Sequence, residues 1–201
     1  MDIKRSARKM GYFEKVSLEQ FTKDWKNLYG DVINDIMIKK MYDDINLPIR
    51  STENSAGYDF STPFGFIMNA GDSIVIPTGI RVLIDNDGYL ALHPRSGLGF
   101  KNRLMLANTT GIIDSDYSKA KNEGHIMVKL CYEGICNKQQ INICHDKEPL
   151  KFIIYQSSNN VGPLELNKGD RFCQGIFNVY GITDDDIATG KRLDGFGSTG
   201  N

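Results

Sequence analysis

The sequence predicts a mainly β fold, a barrel, sandwich or jelly roll, preceded by an N-terminal helical arm. Three observations carry this expectation. Helical spacing of apolar residues is found in the first 44 positions. Glycine is scarce before Gly57, where only Gly11 and Gly30 occur, and most of the 20 glycines follow. From Leu47-Pro48 onward, short apolar or alternating runs are separated by turn residues. Many closely spaced strands with little helix lead to an all-β architecture.

In the arm (1–44), Ser17 with Gln20 three positions on has the form of a capping box. Leu18, Phe21, Trp25 and Leu28 then follow a helical stripe, with Glu19, Lys23 and Asp24 elsewhere on the wheel. Val32, Ile33, Ile36, Met37 and Met41 suggest a second short helix. The arm is expected to cover an apolar edge of the β domain, 45–190. Within that domain strands are expected at Ser73–Pro77, Ile80–Ile84, Tyr89–His93, Leu104–Ala107, His125–Cys131, Gln140–Cys144, Leu150–Tyr155 and Phe172–Val179. Asn86-Asp87-Gly88 reads as a hairpin turn. Ile112-Ile113 suits a strand that delivers Asp114, Asp116 and Tyr117 into a turn. The tail, 191–201, holds too little apolar surface to form a core element and is expected to be mobile in isolation.

A net charge of −1 argues against a non-specific nucleic-acid binder, which normally carries a basic stripe. It leaves room for a nucleotide substrate, which needs only a few local cations. No apolar run approaches the roughly 18 residues of a membrane span. The basic Met1–Lys9 stretch lacks the apolar segment of a signal peptide, so a cytoplasmic protein is expected. Cys131, Cys136, Cys144 and Cys173 show neither zinc-ligand pairs nor a redox motif and are read as reduced structural thiols.

Five stretches carry chemistry. Ala56-Gly57-Tyr58-Asp59-Phe60-Ser61 is the first. Pro94-Arg95-Ser96-Gly97-Leu98-Gly99 places a cation, a hydroxyl and glycine-freed N–H groups side by side, which suits an anion such as phosphate. Asn108-Thr109-Thr110-Gly111-Ile112-Ile113-Asp114-Ser115-Asp116-Tyr117 reads as a hairpin that offers backbone groups to a flat ring and a carboxylate beside it. Gly169-Asp170-Arg171-Phe172-Cys173-Gln174 is a turn entering a strand. Gly195-Phe196-Gly197-Ser198-Thr199-Gly200 can wrap phosphate while Phe196 stacks on a base.

In order, spacing and wording these five resemble the signature motifs of trimeric dUTP nucleotidohydrolases, over Ala56 to Gly200. Phe13–Ser17 and Asn122–His125 look like a branch found in low-GC Gram-positive bacteria and their phages. The resemblance implies a jelly-roll-like subunit in a homotrimer with shared active sites. It implies hydrolysis of magnesium-bound dUTP at the α-phosphorus to dUMP and pyrophosphate, limiting uracil incorporation into DNA. Asp114 would act as general base on the attacking water. Asn108, with the backbone around Gly111 and Ile113, would read uracil, and Tyr117 would pack under the deoxyribose. Arg95, Ser96, Gly97 and Gln174 would hold the phosphates, with Arg95 and Gln174 serving the reaction itself. Asp59 would support a magnesium site through water, or make a structural hydrogen bond. Arg171 and Asp170 are open between an ion pair and catalysis. Phe196 with Gly197, Ser198 and Thr199 would close the site.

The chain departs from the family pattern in three places. A longer loop, Ser118–Glu123, follows Tyr117. An insertion spans about 132–162, as an extra hairpin, a partner surface or a trimer brace. In the tail Arg192 is one residue nearer the glycines than the common arginine, whose spacing Lys191 keeps. Arg192 is favoured as the phosphate clamp for its planar fork. Two rivals share the scaffold. One is a dCTP deaminase, for which Glu123 is the only nearby candidate to shuttle protons to the cytosine amino group. The other is a nucleotide-gated regulatory protein with a protein partner.

Overall fold

The computed structural model describes residues 8–85, 87–134, 139–144, 151–156, 162–190 and 192, with 139–144 and 151–156 by backbone alone. Strand β1 (Gly11–Lys15) leads into helix α1 (Leu18–Tyr29) and helix α2 (Asp35–Asp43). Then come β2 (Ile49–Arg50), β3 (Tyr58–Ser61), β4 (Phe66–Met68), β5 (Ser73–Pro77), β6 (Ile80–Ile84) and β7 (Gly88–Pro94). Helix α3 (Ser96–Asn102) precedes β8 (Leu104–Leu106), β9 (Gly111–Asp114) and a 3-10 turn (Ser115–Lys119). The chain continues through β10 (Met127–Tyr132), β11 (Gln139–Cys144), β12 (Lys151–Gln156), β13 (Leu164–Leu166) and β14 (Arg171–Val179). The architecture is mainly β, as expected, and no described helix is long and apolar enough to cross a membrane.

A five-stranded antiparallel sheet, β2-β3-β14-β7-β9, underlies the site, and a three-stranded sheet, β5-β10-β8, contributes to the same core. Strand β10 shows why these segments are strands. Val128, Leu130 and Tyr132 alternate inward while Lys129 points out, the period-2 pattern of a strand with one buried face. The segment 132–162 includes the antiparallel pair β11–β12, so it contains an extra hairpin. Strands β1, β2, β3, β4 and β13 were not read from the sequence.

Two expected hairpins are corrected. The turn before Gly88 closes, with its N–H donating to Asp85 C=O at 2.9 Å. Yet β6 pairs with β1 and β7 with β14 and β9, so the turn passes the chain between sheets. Asn86 itself lies outside the described residues. Likewise β8 pairs with β10 while β9 pairs with β7, so Asn108 sits in a loop between sheets and not at a hairpin tip.

The first 44 residues are more than a helical arm. Strand β1 joins β6, and Phe13 packs among Tyr58, Phe60 and Phe177. Phe21, Trp25 and Ile38 belong to the core shared with the strands. Ser17 caps α1 by accepting from the Gln20 N–H at 3.1 Å. The return half of the capping box is absent: Gln20 donates instead to Asp24 (2.8 Å), and Glu123 takes the Ser17 N–H (2.7 Å). Asp24, placed on the polar side of the wheel by sequence, is buried against fully buried His125, Oδ2 to Nδ1 2.7 Å. Gly79 donates its N–H to His125 Nε2 at 2.8 Å, which leaves the ring proton on Nδ1 for Asp24. A buried carboxylate is tolerable here because its neighbours donate to it.

Candidate active site

Register builds the first cluster of candidate residues. Gln174 lies between Asp59 of β3 and His93 of β7, so these three share a face of the sheet. Gly57 lacks a Cβ where Gln174 Oε1 lies 2.3 Å from the position one would take. A bulge at Phe172 sets two steps of β14, Arg171 to Cys173, against one step of β3, Ser61 to Phe60. In a regular strand Arg171 would share the core face with Cys173. The extra residue turns it to the side of Ser61 and Asp59 instead.

Asp59 then stands between two arginines. Its Oδ1 lies 3.2 Å from Arg95 Nε, and its Oδ2 lies 2.9 Å from Arg171 Nη1. The Ser51 hydroxyl donates to Oδ2 at 2.7 Å. The carboxylate is only 8% exposed, whereas the Arg95 and Arg171 side chains are 39% and 42% exposed. Asp59 therefore anchors the cations from below and leaves them facing outward. They line a cleft of about 500 Å³ with Ser96, Gly97, Lys101 and Asn102, and the carboxylates Glu165 and Asp170 also border it. The expected Pro94–Gly99 loop is the entry to α3, where the bond from Gly99 N–H to Arg95 C=O (2.8 Å) closes the first turn. A cleft with two guanidiniums and a hydroxyl suits an anion. Asp170 faces its own turn, accepting the Asn167 N–H at 2.7 Å. Arg171 is thus in an ion pair and Asp170 in a turn.

The same geometry tests the magnesium site. Both oxygens of Asp59 are engaged by cations and a hydroxyl, and two guanidiniums beside it oppose a divalent ion. Among the described residues no three His, Cys, Asp or Glu side chains gather to hold a metal. These residues do not fit a protein-liganded magnesium.

A second cluster forms along β9, which runs antiparallel to β7 from Gly111 opposite Leu92 to Asp114 opposite Tyr89. The Asn108 loop turns through Thr109, at φ 59, whose N–H donates to Leu106 C=O at 2.9 Å. A mostly apolar cavity of about 550 Å³ opens beside it, lined by Leu92, Asn108, Gly111, Ile112 and Ile113 and reached by Leu28 of α1. Asp114 follows at the end of β9. Arg192 donates to Asp114 and, through Nε at 2.8 Å, to Asp116, while its guanidinium lies over the Tyr117 ring.

Tyr117 is a buried residue, 6% exposed. Its hydroxyl donates to His125 C=O at 2.9 Å and accepts from Asn122 Nδ2 at 3.0 Å. The loop closes through Gly124, at φ 73, where a Cβ would stand 2.7 Å from Ser118 Cα. Glu123 ties this loop to α1. Burial opposes its ionisation, but the Ser17 hydroxyl and N–H, with Arg81, outweigh burial and hold its carboxyl below the usual range. Burial pushes the Cys173 thiol well up, which fits an inert structural cysteine. Cys131 is also free, and Cys136 lies outside the described residues.

Of the residues singled out by sequence, Arg95, Ser96, Gly97, Asp59 and Gln174 gather on one side. Asn108, Gly111, Ile113, Asp114, Tyr117 and Arg192 gather on the other. Lys191, Phe196, Gly197, Ser198 and Thr199 lie outside the described residues. Ser51 was missed, and Asn122 was marked only as part of a branch-like turn, since what either side chain holds is not known until its partners are.

A family model described as dUTPase matches residues 43–143. The deoxyuridine 5′-triphosphate nucleotidohydrolase of Lactococcus lactis is 33% identical over 159 residues, 78% of this chain and 89% of that one. The protein of the same name from Glaesserella parasuis is 31% identical over 173 residues, 82% of this chain and 94% of that one. The crystal structure of dUTPase from Streptococcus mutans shares the fold, with a TM-score of 0.54 at 24% identity over 86% of this chain and 98% of that chain. So does a mutant dUTPase of a Staphylococcus aureus phage, phi11, described with a structural Mg(II) ion. It has a TM-score of 0.50 at 23% identity over 72% of this chain and 90% of that chain.

Proposed function

The chain belongs to the dUTPase family, and from that premise we propose how its residues divide the hydrolysis of dUTP to dUMP and pyrophosphate. It is a dUTP nucleotidohydrolase. The observation that carries the residue assignment is the guanidinium pair mounted on Asp59 beside Ser96 and Gly97. In this reading Arg95, Ser96 and Gly97, with Gln174, take the triphosphate, where positioning and charge neutralisation supply much of the rate. Asp59 holds the arginines. Magnesium enters with the triphosphate as part of the substrate, which agrees with its habit of keeping waters and phosphate oxygens.

Asn108 and the cavity beside Gly111 and Ile113 receive uracil, because a polar group at the edge of an apolar slot rejects a mismatched hydrogen-bonding pattern. Asp114 takes the proton of the attacking water. Tyr117 lies under the deoxyribose and excludes a 2′-hydroxyl. Arg192 exchanges its carboxylates for phosphate and uncovers the Tyr117 face as it does so. The tail (191–201), with Phe196, Gly197, Ser198 and Thr199, closes over the nucleotide, and residues 1–44 serve as a brace on the β domain (45–190).

Register supports a site shared between copies of the chain. Asp114 stands opposite Tyr89, whereas Arg95 follows Pro94 at the far end of β7. Six residue steps, Tyr89 to Arg95, part the two backbones by roughly 20 Å, too far for both to act on one phosphorus. A homotrimer that lends Arg95 from one subunit to Asp114 of another removes the gap.

A nucleotide panel assayed for pyrophosphate with and without magnesium tests the reading. Release is expected from dUTP with magnesium, with near silence on dTTP, dCTP and UTP. Ammonia from dCTP, or no product from dUTP, would overturn it.

A further inference from the structure

The loop that departs from the family pattern, Ser118–Glu123, holds the ring that the proposed function assigns to the sugar. Asn122 Nδ2 donates to the Tyr117 hydroxyl at 3.0 Å, and its Oδ1 accepts the Gly124 N–H at 3.2 Å. The Tyr117 hydroxyl donates in turn to His125 C=O. Helix α1 then fastens the same loop at two points. Glu123 accepts the Ser17 N–H (2.7 Å) and hydroxyl (2.6 Å), and buried Asp24 holds the His125 ring.

We propose that Asn122 is a positioning residue for sugar discrimination: it fixes the Tyr117 hydroxyl within a loop clamped by α1, and so sets how closely the ring abuts C2′ of the nucleotide. A ring that can recede by a few tenths of an ångström admits a ribose 2′-hydroxyl, whereas a ring held at both sides of its hydroxyl does not. The helical arm, remote from the chemistry in sequence, thereby serves specificity. This inference rests on the assignment of Tyr117 to the sugar.

The test is the ratio of kcat/KM for dUTP to that for UTP in the full chain, well below each variant's Tm. Asn122→Asp keeps the acceptor for Gly124 but removes the donation to Tyr117. Tyr117→Phe removes the hydroxyl and keeps the ring. Each is expected to lower the ratio by roughly fivefold to tenfold, the size of one buried hydrogen bond. The double variant is expected to lower it no further, since residues acting through one contact are not additive. Glu123→Gln, which loosens the clamp and leaves both Tyr117 bonds in place, is expected to give a smaller fall of the same kind. An unchanged ratio in Asn122→Asp with a lowered one in Tyr117→Phe overturns the inference and leaves the sugar assignment standing. Additive effects in the double variant also overturn it. An unchanged ratio in Tyr117→Phe and in Tyr117→Ala means that the sugar assignment itself is wrong.

Discussion

Asp114→Asn is expected to lower kcat on dUTP by roughly 10²–10⁴, the range for losing a positioned general base. That is about 3–5 kcal/mol of barrier. The substitution keeps the shape of the side chain and its place opposite Tyr89, so the nucleotide should still bind. Folding should be nearly unaffected. The Asp114 side chain is 49% exposed, and its pairing with Arg192 is screened by water. Single-turnover measurement of dUMP formation, with a denaturation curve on the same preparation, separates the two effects. Turnover above a tenth of wild type would remove Asp114 from its role.

The second large effect concerns stability. Asp24→Ala leaves the His125 N–H and the Gln20 amide without their acceptor in a site where His125 is fully buried. Each buried donor left without its acceptor costs about 1–3 kcal/mol, and two are left here. For a domain whose total stability is typically about 5–15 kcal/mol, this is a large fraction. Urea unfolding followed by tryptophan fluorescence is well placed to read it, because Trp25 lies on the same helix. Asp24→Asn, which keeps an acceptor, should lose much less. A loss below about 1 kcal/mol in Asp24→Ala, smaller than the usual cost of one unsatisfied buried group, would show that the network carries little of the fold's stability.

The two predictions fall on opposite sides of what the sequence makes legible. Asp114 was visible because a branched apolar pair leading into two carboxylates and a tyrosine forms a local pattern, framed by a phosphate-type stretch before it and a glycine-rich tail after it. Asp24 was misread for the same kind of reason. Its place on a helical wheel depends on which side the partner approaches from, and its partner lies 101 residues away. The fold class was legible from turn frequency and short apolar runs, since both are local. Strand pairing was not. The turn before Gly88 has hairpin chemistry, but the strands on either side of it lie in different sheets, because β1 takes the edge of β6.

By itself the sequence determined the mainly β class and the presence of two helices in the first 44 residues, and it pointed to a set of residues suited to a nucleotide. Periodicity, capping and motif spacing are properties of neighbouring residues, so they survive without a fold. Only the tertiary structure decided how that set is divided. The bulge at Phe172 turns Arg171 from the core face onto Asp59, and so gives the cleft its second guanidinium. The register of β7 parts Asp114 from Arg95. The approach of α1 gives Tyr117 its mount. Each of these depends on which distant strand or helix comes to lie alongside, and a one-residue shift in any of them would reverse the outcome.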